Sequence, residues 1–140
     1  RVLEPSPSGV PDAGFGVVGE LCEAMPAEAF LRRVMERTGA RVVRHSALGD
    51  RPVRRVAVCT GAGASLIGAA RCAGADLYVT SDLKYNDFMT PDGAFVVADI
   101  GHFESEYCAI ELLFDVLSKN LRTFAVRRSE ASRNPVHYMV

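Results

Sequence analysis

The segment 54–80, RRVAVCTGAGASLIGAARCAGADLYVT, decides the fold. It begins and ends with short apolar runs (54–60 and 75–80), and between them lie a glycine-rich turn and a helix of small residues that ends at Gly74. Two apolar strands joined by a connection long enough for a helix are typical of a parallel pair. The segment therefore predicts a strand–helix–strand unit with parallel strands.

The sequence on both sides continues this alternation of strands and helices. On the amino-terminal side we expect a strand at 17–21, a helix at 25–39 and a strand at 40–46. On the carboxyl-terminal side we expect a helix start at 81–89, a turn at 90–93, and strands at 94–100 and 121–128 that flank a long helix at 104–120. This pattern predicts an α/β fold with a mixed, centrally parallel sheet and helices on both faces.

Composition bounds the class of protein. The chain has 140 residues, of which 49% are hydrophobic, so one domain can bury a core without disulfides or a structural metal. A net charge of -1 argues against general attraction to nucleic acid or to an anionic membrane. No apolar run approaches the roughly 18 residues of a membrane span. The four cysteines form no CxxC pair, which predicts reduced core cysteines and a cytoplasmic location.

The amino-terminal segment differs in composition from the rest. Residues 1–13 are rich in proline, serine and glycine, and we expect a linker or re-entry segment there, followed by an α/β domain at 14–140. Because the chain starts with Arg1, we expect it to be a fragment of a longer protein.

Three polar motifs follow the predicted strands. They are GAGAS (61–65), SDLKYND (81–87) and DIGH (99–102). In open α/β sheets ligands bind at the carboxyl ends of parallel strands, so we expect Ser65, Asp82 and His102 to be neighbours.

The last motif contains a candidate pair of metal ligands, His102 and Glu106. If the helix begins near residue 103, its period places Glu106 on the apolar face, where a carboxylate needs a cation, hydrogen-bond donors or a polar cavity. An imidazole and a carboxylate one turn apart commonly hold a divalent metal. Alternatively, the helix dipole favours acidic residues at this end, which would explain Glu104 and Glu106 without a metal. The residues alone leave both interpretations open.

The other motifs are less specific. GAGAS has neither the lysine of a P-loop nor the spacing of a dinucleotide fingerprint, so a tight turn is favoured over an anion cradle. Asp82 is a candidate helix cap or site carboxylate, and Lys84 is a candidate partner of a substrate anion or a solvated side chain.

Four segments together resemble a known family: VAVCTGAGASLI, GADLYVTSDLKYNDF, DIGHFESE and NPVHYM. In this order and spacing they are similar to the carboxyl-terminal half of the Nif-three-like family, whose members are named GTP cyclohydrolase one type two homologues in many genomes. GFGVVGELCEAM resembles the segment with which longer members re-enter the main domain after an insert. The resemblance covers roughly residues 14–140 and implies one half of the Nif-three-like fold.

The resemblance also implies a site. Family members hold two divalent metal ions in a cleft between two similar halves; two histidines and an aspartate come from the amino-terminal half, and a histidine and a glutamate come from a G-H-x-x-x-E motif that maps onto His102 and Glu106. Zinc, manganese, iron and magnesium are not distinguished. The implied partners are the amino-terminal half and further copies of the protein, since full-length members form hexamers. The chain departs from the family pattern at Val17, Ser81 and Asn86, where relatives often carry arginine, glycine and histidine.

The functional hypothesis is a metal-dependent hydrolase of a nucleotide or phosphoester-like substrate. His102 and Glu106 would be ligands, and Asp82 and Lys84 are the candidate catalytic or substrate-binding groups. The alternative is a non-catalytic metal-binding scaffold or regulatory module that acts through protein partners. In either case two ligands are too few for tight binding, so the isolated chain should bind metal weakly or not at all.

Overall fold

The computed structural model, which describes residues 1–89 and 94–139, contains one mixed sheet of six strands in the order β1-β2-β4-β5-β6-β3. The strands are β1 (Val2–Pro5), β2 (Gly14–Met25), β3 (Arg44–His45), β4 (Val53–Ala62), β5 (Leu77–Ser81) and β6 (Val96–Asp99). The helices are α1 (Ala27–Thr38), α2 (Ile67–Cys72), α3 (His102–Glu106) and α4 (Cys108–Asn120). Short 3₁₀ helices span Ala64–Leu66 and Tyr85–Phe88.

The centre of the sheet is parallel, as the sequence predicts. Val58 pairs with Val79 between β4 and β5, and Val79 pairs with Ala98 between β5 and β6, in both cases with parallel strands. Every residue of β5 and β6 is buried. The unbroken apolar runs therefore reflect strands that are covered on both faces.

Helices cover the two faces of the sheet, which confirms the predicted layers. Phe30 and Leu31 of α1 pack with Leu77 on one face, in one buried cluster. Ala70 of α2 packs with Tyr78 on the other face, in a second cluster. Consecutive residues of β5 thus enter different cores, because successive side chains of a strand point to opposite faces.

The end of α1 also follows the prediction. Gly39 ends the helix with φ 73°, and its N–H donates to the carbonyl of Met35 at 2.8 Å. A left-handed glycine at this position is a common helix stop because it has no Cβ to clash.

The edges of the sheet differ from expectation. Residues 1–13 are not only a connection, since Val2–Pro5 pair antiparallel with β2. Within the predicted strand at 40–46, the residues that pair with β6 are Arg44 and His45. The side chain of Val43 packs against the buried cluster that contains Phe30 and Leu31. The strand predicted at 121–128 is wrong, since the segment joins no strand among the described residues. All of its residues except Val126 are exposed, so it lacks the buried face that stabilises a strand. The turn predicted at 90–93 lies outside the described residues.

The connections after β4 and β5 also differ in detail. Gly61 and Ala62, predicted as the start of a turn, extend β4 beyond a register shift that follows Val58. The helix start predicted at 81–89 is a single 3₁₀ turn at Tyr85–Phe88. Both changes place more backbone at the carboxyl edge of the sheet.

The predicted helix at 104–120 forms as α3 and α4, which meet at Tyr107. No residue of α4 is buried, and Leu112, Leu113 and Val116 are among its exposed apolar side chains. None of the helices in the described ranges has the length and apolar character needed to cross a membrane.

Candidate functional site

Asp82, His102 and Glu106 meet at the carboxyl edge of the parallel strands. Asp82 follows the last residue of β5, and His102 begins α3 after β6. Nδ1 of His102 lies 2.6 Å from Oδ2 of Asp82, and Nε2 of the same ring lies 3.2 Å from Oε2 of Glu106. The imidazole therefore stands between two carboxylates, one at each ring nitrogen.

The geometry assigns different chemistry to the two ring nitrogens. A carboxylate can only accept, so Asp82 fixes the proton on Nδ1 and leaves Nε2 directed at Glu106. This is the arrangement in which an outer carboxylate orients a histidine whose other nitrogen binds a metal. All three side chains are about half exposed, at 48% for Asp82 and 50% for His102 and Glu106, so the Nε2 side is open to a ligand.

The two carboxylates raise the pKa of His102 above its usual value of 6.5. The hydrogen bond to Asp82 is the largest cause, and the nearby charge of Glu106 adds to it, while partial desolvation opposes them. In the absence of another cation, protonation of His102 neutralises part of the negative charge of Asp82 and Glu106. A metal ion at Nε2 would have to compete with that proton.

Gly61, at the end of β4, leaves the space that Glu106 occupies. Its φ is +65°, and a Cβ built there would overlap Oε1 of Glu106 and lie 3.6 Å from Cε1 of His102. The site therefore needs glycine at this position for two reasons, the backbone conformation and the close approach of the carboxylate.

Ser105 fixes α3 to the strands below it. Its hydroxyl accepts from the N–H of Gly61 at 2.8 Å and donates to the carbonyl of His102 at 2.9 Å. Ser81 Oγ in turn donates to the carbonyl of Gly61 at 2.6 Å. These buried hydrogen bonds tie the ends of β4 and β5 to the helix that carries His102 and Glu106.

A buried carboxylate, Asp99, shapes the other side of the edge. Its oxygens accept from the main-chain N–H groups of Leu83 and Gly101, each at 2.9 Å, and it forms an ion pair with Arg44. Asp99 thereby holds the loop after β5 beside the turn that leads into α3. It is 4% exposed, and its hydrogen bonds to two main-chain N–H groups and its ion pair indicate a structural role.

Two expectations about the site need correction. Ser65 lies exposed in the 3₁₀ helix after β4 and makes no hydrogen bond to Asp82 or His102, because β4 continues through Ala62 and presents Gly61 instead. The helical phase of Glu106 is wrong for this chain, since Ser105 is the only buried residue of α3.

Lys84 follows Asp82 in the loop after β5. Its main-chain N–H donates to Asp87 at 2.7 Å, and its predicted role toward a substrate anion stays a prediction. Asp82, by contrast, does not cap a helix and lies in the site, with φ 57°, a backbone region that aspartate tolerates better than most residues.

Sequence reasoning missed Gly61 and Ser105. The signal for Gly61 was present in GAGAS, where a glycine directly after an apolar strand often marks a close backbone approach. The signal for Ser105 is that it is the small residue between Glu104 and Glu106, although the helical period predicts that Glu106 faces the core.

The three side chains at this edge do not converge on a common point. Over residues 1–89 and 94–139, no group of three or more His, Cys, Asp and Glu side chains is arranged to hold a metal ion. The reason is geometric, since Asp82 and Glu106 lie on opposite nitrogens of His102 and do not converge on one point.

Comparison with known proteins gives a consistent result. The family model Duf34/NIF3 (NGG1p interacting factor 3) matches residues 1–135. A GTP cyclohydrolase 1 type 2 homolog of Staphylococcus epidermidis is 31% identical over 130 residues, which cover 89% of this chain and 35% of that protein. The chain thus spans about a third of the length of this curated relative.

Solved structures agree with the sequence match. A Staphylococcus aureus protein superposes with a TM-score of 0.79 at 26% identity, over 90% of this chain and 42% of that one. A Bacillus cereus protein related to NIF3 gives a TM-score of 0.73 at 26% identity, over 90% of this chain and 36% of the other. With the family model matching nearly its whole length, the chain belongs to the Duf34/NIF3 family.

Proposed function

We propose that His102 and Glu106 are metal ligands of a dinuclear site in the full-length protein, which acts as a metal-dependent hydrolase. The observation that carries the proposal is the pair itself: Nε2 and Oε2 lie 3.2 Å apart at an open strand edge, with Nδ1 held by Asp82. The name of the Staphylococcus epidermidis relative supports a nucleotide as the substrate class.

The residues fit a divalent metal by their chemistry. An imidazole nitrogen and a carboxylate oxygen are ligands that zinc and related first-row metals accept. Gly61 leaves the space in which the Glu106 carboxylate lies beside the imidazole, because a side chain at that position would fill it. Bound there, a divalent metal would polarise a carbonyl or phosphoryl oxygen of the substrate and lower the pKa of bound water.

The chain's own residues have separable tasks in this proposal. His102 and Glu106 bind, and Asp82 orients the imidazole and keeps its proton on Nδ1. Ser105 and Gly61 hold α3 at a fixed distance from the strands. The remaining ligands would come from the amino-terminal half, which we propose as the partner that completes the cleft. A homo-oligomer and a cytoplasmic location belong to the same proposal, and the four free cysteines are consistent with a reducing compartment.

The test uses the full-length protein. His102→Ala and Glu106→Gln should each lower the bound divalent metal measured by elemental analysis, and should abolish turnover in a panel of nucleotides and phosphoesters. Asn120→Ala, on the exposed face of α4, is the matched control and should retain both. Unchanged metal content in soluble His102→Ala and Glu106→Gln would refute the ligand roles.

Metal binding without turnover on any member of the panel would refute the hydrolase and favour the metal-binding scaffold instead. The isolated chain gives a further check, since two ligands should bind zinc or manganese weakly. Tight stoichiometric binding to the isolated monomer in calorimetry would show that its ligand set has been misassigned.

A further inference from the structure

The segment 132–138 follows α4 along the chain and packs back on α3, next to the proposed metal ligands. We propose that Asn134 in this segment is a positioning residue, which clamps α3 in place and sets the wall of the cavity on which His102 and Glu106 open. This inference rests on the proposed metal site, but it concerns residues outside the ligand set.

A cavity of about 300 Å³ connects the segment to the ligands. One side is formed by α3 and the start of α4, including His102, Glu106 and the stacked rings of Phe103 and Tyr107, whose centroids are 4.9 Å apart. The opposite side is formed by residues of the segment: Ser132, Asn134, Pro135 and Val136. A ligand on the metal side of His102 would therefore meet this wall.

Asn134 makes two hydrogen bonds with different functions. Its Nδ2 donates to Oε1 of Glu104 at 2.9 Å, which joins the segment to the helix that carries the two proposed ligands. Its Oδ1 accepts from the N–H of Val136 at 2.9 Å, which sets the local turn. One side chain thus fixes both the wall and the helix it faces.

The other carboxylate oxygen of Glu104 lies near the same segment. Among the described residues its Oε2 is buried and has no hydrogen-bond partner, and it lies with the hydroxyl of Tyr138 around Gly101. A Cβ on Gly101 would overlap Oε2 of Glu104 and lie 3.1 Å from the Tyr138 oxygen. Burial, and then the charge of Glu104, raise the pKa of Tyr138, so its hydroxyl remains protonated beside the carboxylate.

The helix needs such a clamp because it is short. With 5 residues, α3 makes little more than one turn, and only Ser105 of these residues is buried. Such a helix has little stability of its own, so tertiary contacts determine its orientation. Ser105 joins α3 to β4, and Asn134 joins α3 to the segment 132–138. These two contacts together orient the helix that carries His102 and Glu106.

Asn134→Asp in the full-length protein tests the hydrogen bond to Glu104 separately from the hydrogen bond that sets the turn at Val136. Aspartate keeps the acceptor for Val136 but loses the donor for Glu104 and places a second carboxylate against it. Groups that hydrogen-bond directly to ligands typically affect metal affinity by about 10–100-fold, and Asn134 acts through Glu104, so we expect zinc affinity to fall by up to about tenfold. The absorption spectrum of the cobalt-loaded protein should also change, which a loss of stability alone would not cause.

Asn120→Asp is the matched control, since it makes the same change of charge and also removes an amide donor, here to the carbonyl of Val116 on α4. It should keep wild-type zinc affinity and cobalt spectrum. If Asn134→Asp does not fold, Asn134→Ser, which retains a shorter donor, should show an intermediate zinc affinity. Zinc affinity and cobalt spectrum unchanged in a folded Asn134 variant would overturn the inference. Failure of the wild-type protein to bind any of zinc, manganese, iron and magnesium would instead overturn the proposed metal site.

Discussion

Gly61→Ala in the full-length protein tests whether the backbone of β4 shapes the metal site. The new methyl group would occupy the space now filled by Oε1 of Glu106, and the residue would keep a φ of +65°. Because Glu106 is half exposed, its side chain can rotate away from the methyl group toward solvent. The carboxylate would then leave its position beside Nε2 of His102.

The magnitude follows from two separate effects. Holding alanine in the left-handed region costs about 1–2 kcal/mol. The lower entropy of the unfolded alanine chain offsets about 0.4–1 kcal/mol of this, so the net loss of stability should be about 1 kcal/mol. Displacement of Glu106 adds little to that loss, but it should weaken zinc binding by about 10–100-fold, as for other residues that orient a ligand.

Gly39→Ala supplies the control for the backbone effect. Gly39 has φ +73°, and a Cβ there would meet nothing within 4 Å. Urea unfolding of the metal-free proteins should therefore give similar losses for the two variants, and competitive zinc titration should show weaker binding only for Gly61→Ala. Equal zinc affinity in both variants and in the wild type would refute the argument that Gly61 seats the carboxylate.

Three further predictions concern other parts of the fold. In the metal-free full-length protein, Asp82→Asn should lower the pKa of His102 in an NMR titration of the ring, because the hydrogen bond to Asp82 is the main cause that raises it above 6.5. Because folding raises the pKa of His102, its protonated form stabilises the fold. This stabilisation is fully present below about pH 6.5 and is lost as the pH rises through the folded-state pKa. The variant should therefore be less stable than wild type at acidic pH and similar to it at high pH. Asp99→Ala should destabilise the protein by about 2–4 kcal/mol in urea unfolding, since it leaves buried main-chain donors without an acceptor; a loss below 0.5 kcal/mol, typical of surface changes, would contradict the structural role. The exposed apolar side chains of α4 should favour self-association of the isolated chain. Leu113 is 58% exposed there, so Leu113→Ser should reduce self-association in sedimentation experiments with little change in stability. An unchanged sedimentation profile would exclude this face as the contact.

Local patterns were sufficient for the central architecture. Apolar runs at 54–60, 75–80 and 94–100, separated by connections of helix length, predicted the parallel strands that the structure contains. They succeed because a strand covered on both faces must be apolar at every position, and a parallel connection must be long. The end of α1 at Gly39 was predictable for the same kind of reason, since the left-handed stop is a property of one residue.

Edges and faces required the tertiary structure. The residues at 121–128 are compatible with a strand, but the segment lies exposed and pairs with no strand among the described residues, because pairing depends on where the chain lies after α4. Likewise, helical period places Glu106 on an apolar stripe, yet the buried side of α3 is decided by what lies beneath it, and that contact is made by Ser105.

By itself the sequence determined the parallel centre of the sheet and, through the H-x-x-x-E spacing, the candidate pair His102 and Glu106. Those features depend on apolar runs and residue spacing, which are local. Only the tertiary structure decided that Asp82 contacts His102, that Gly61 rather than Ser65 lies against the pair, and that Asn134 reaches Glu104. These contacts join residues that are distant in the chain, and they depend on loop paths and side-chain directions that no local pattern specifies.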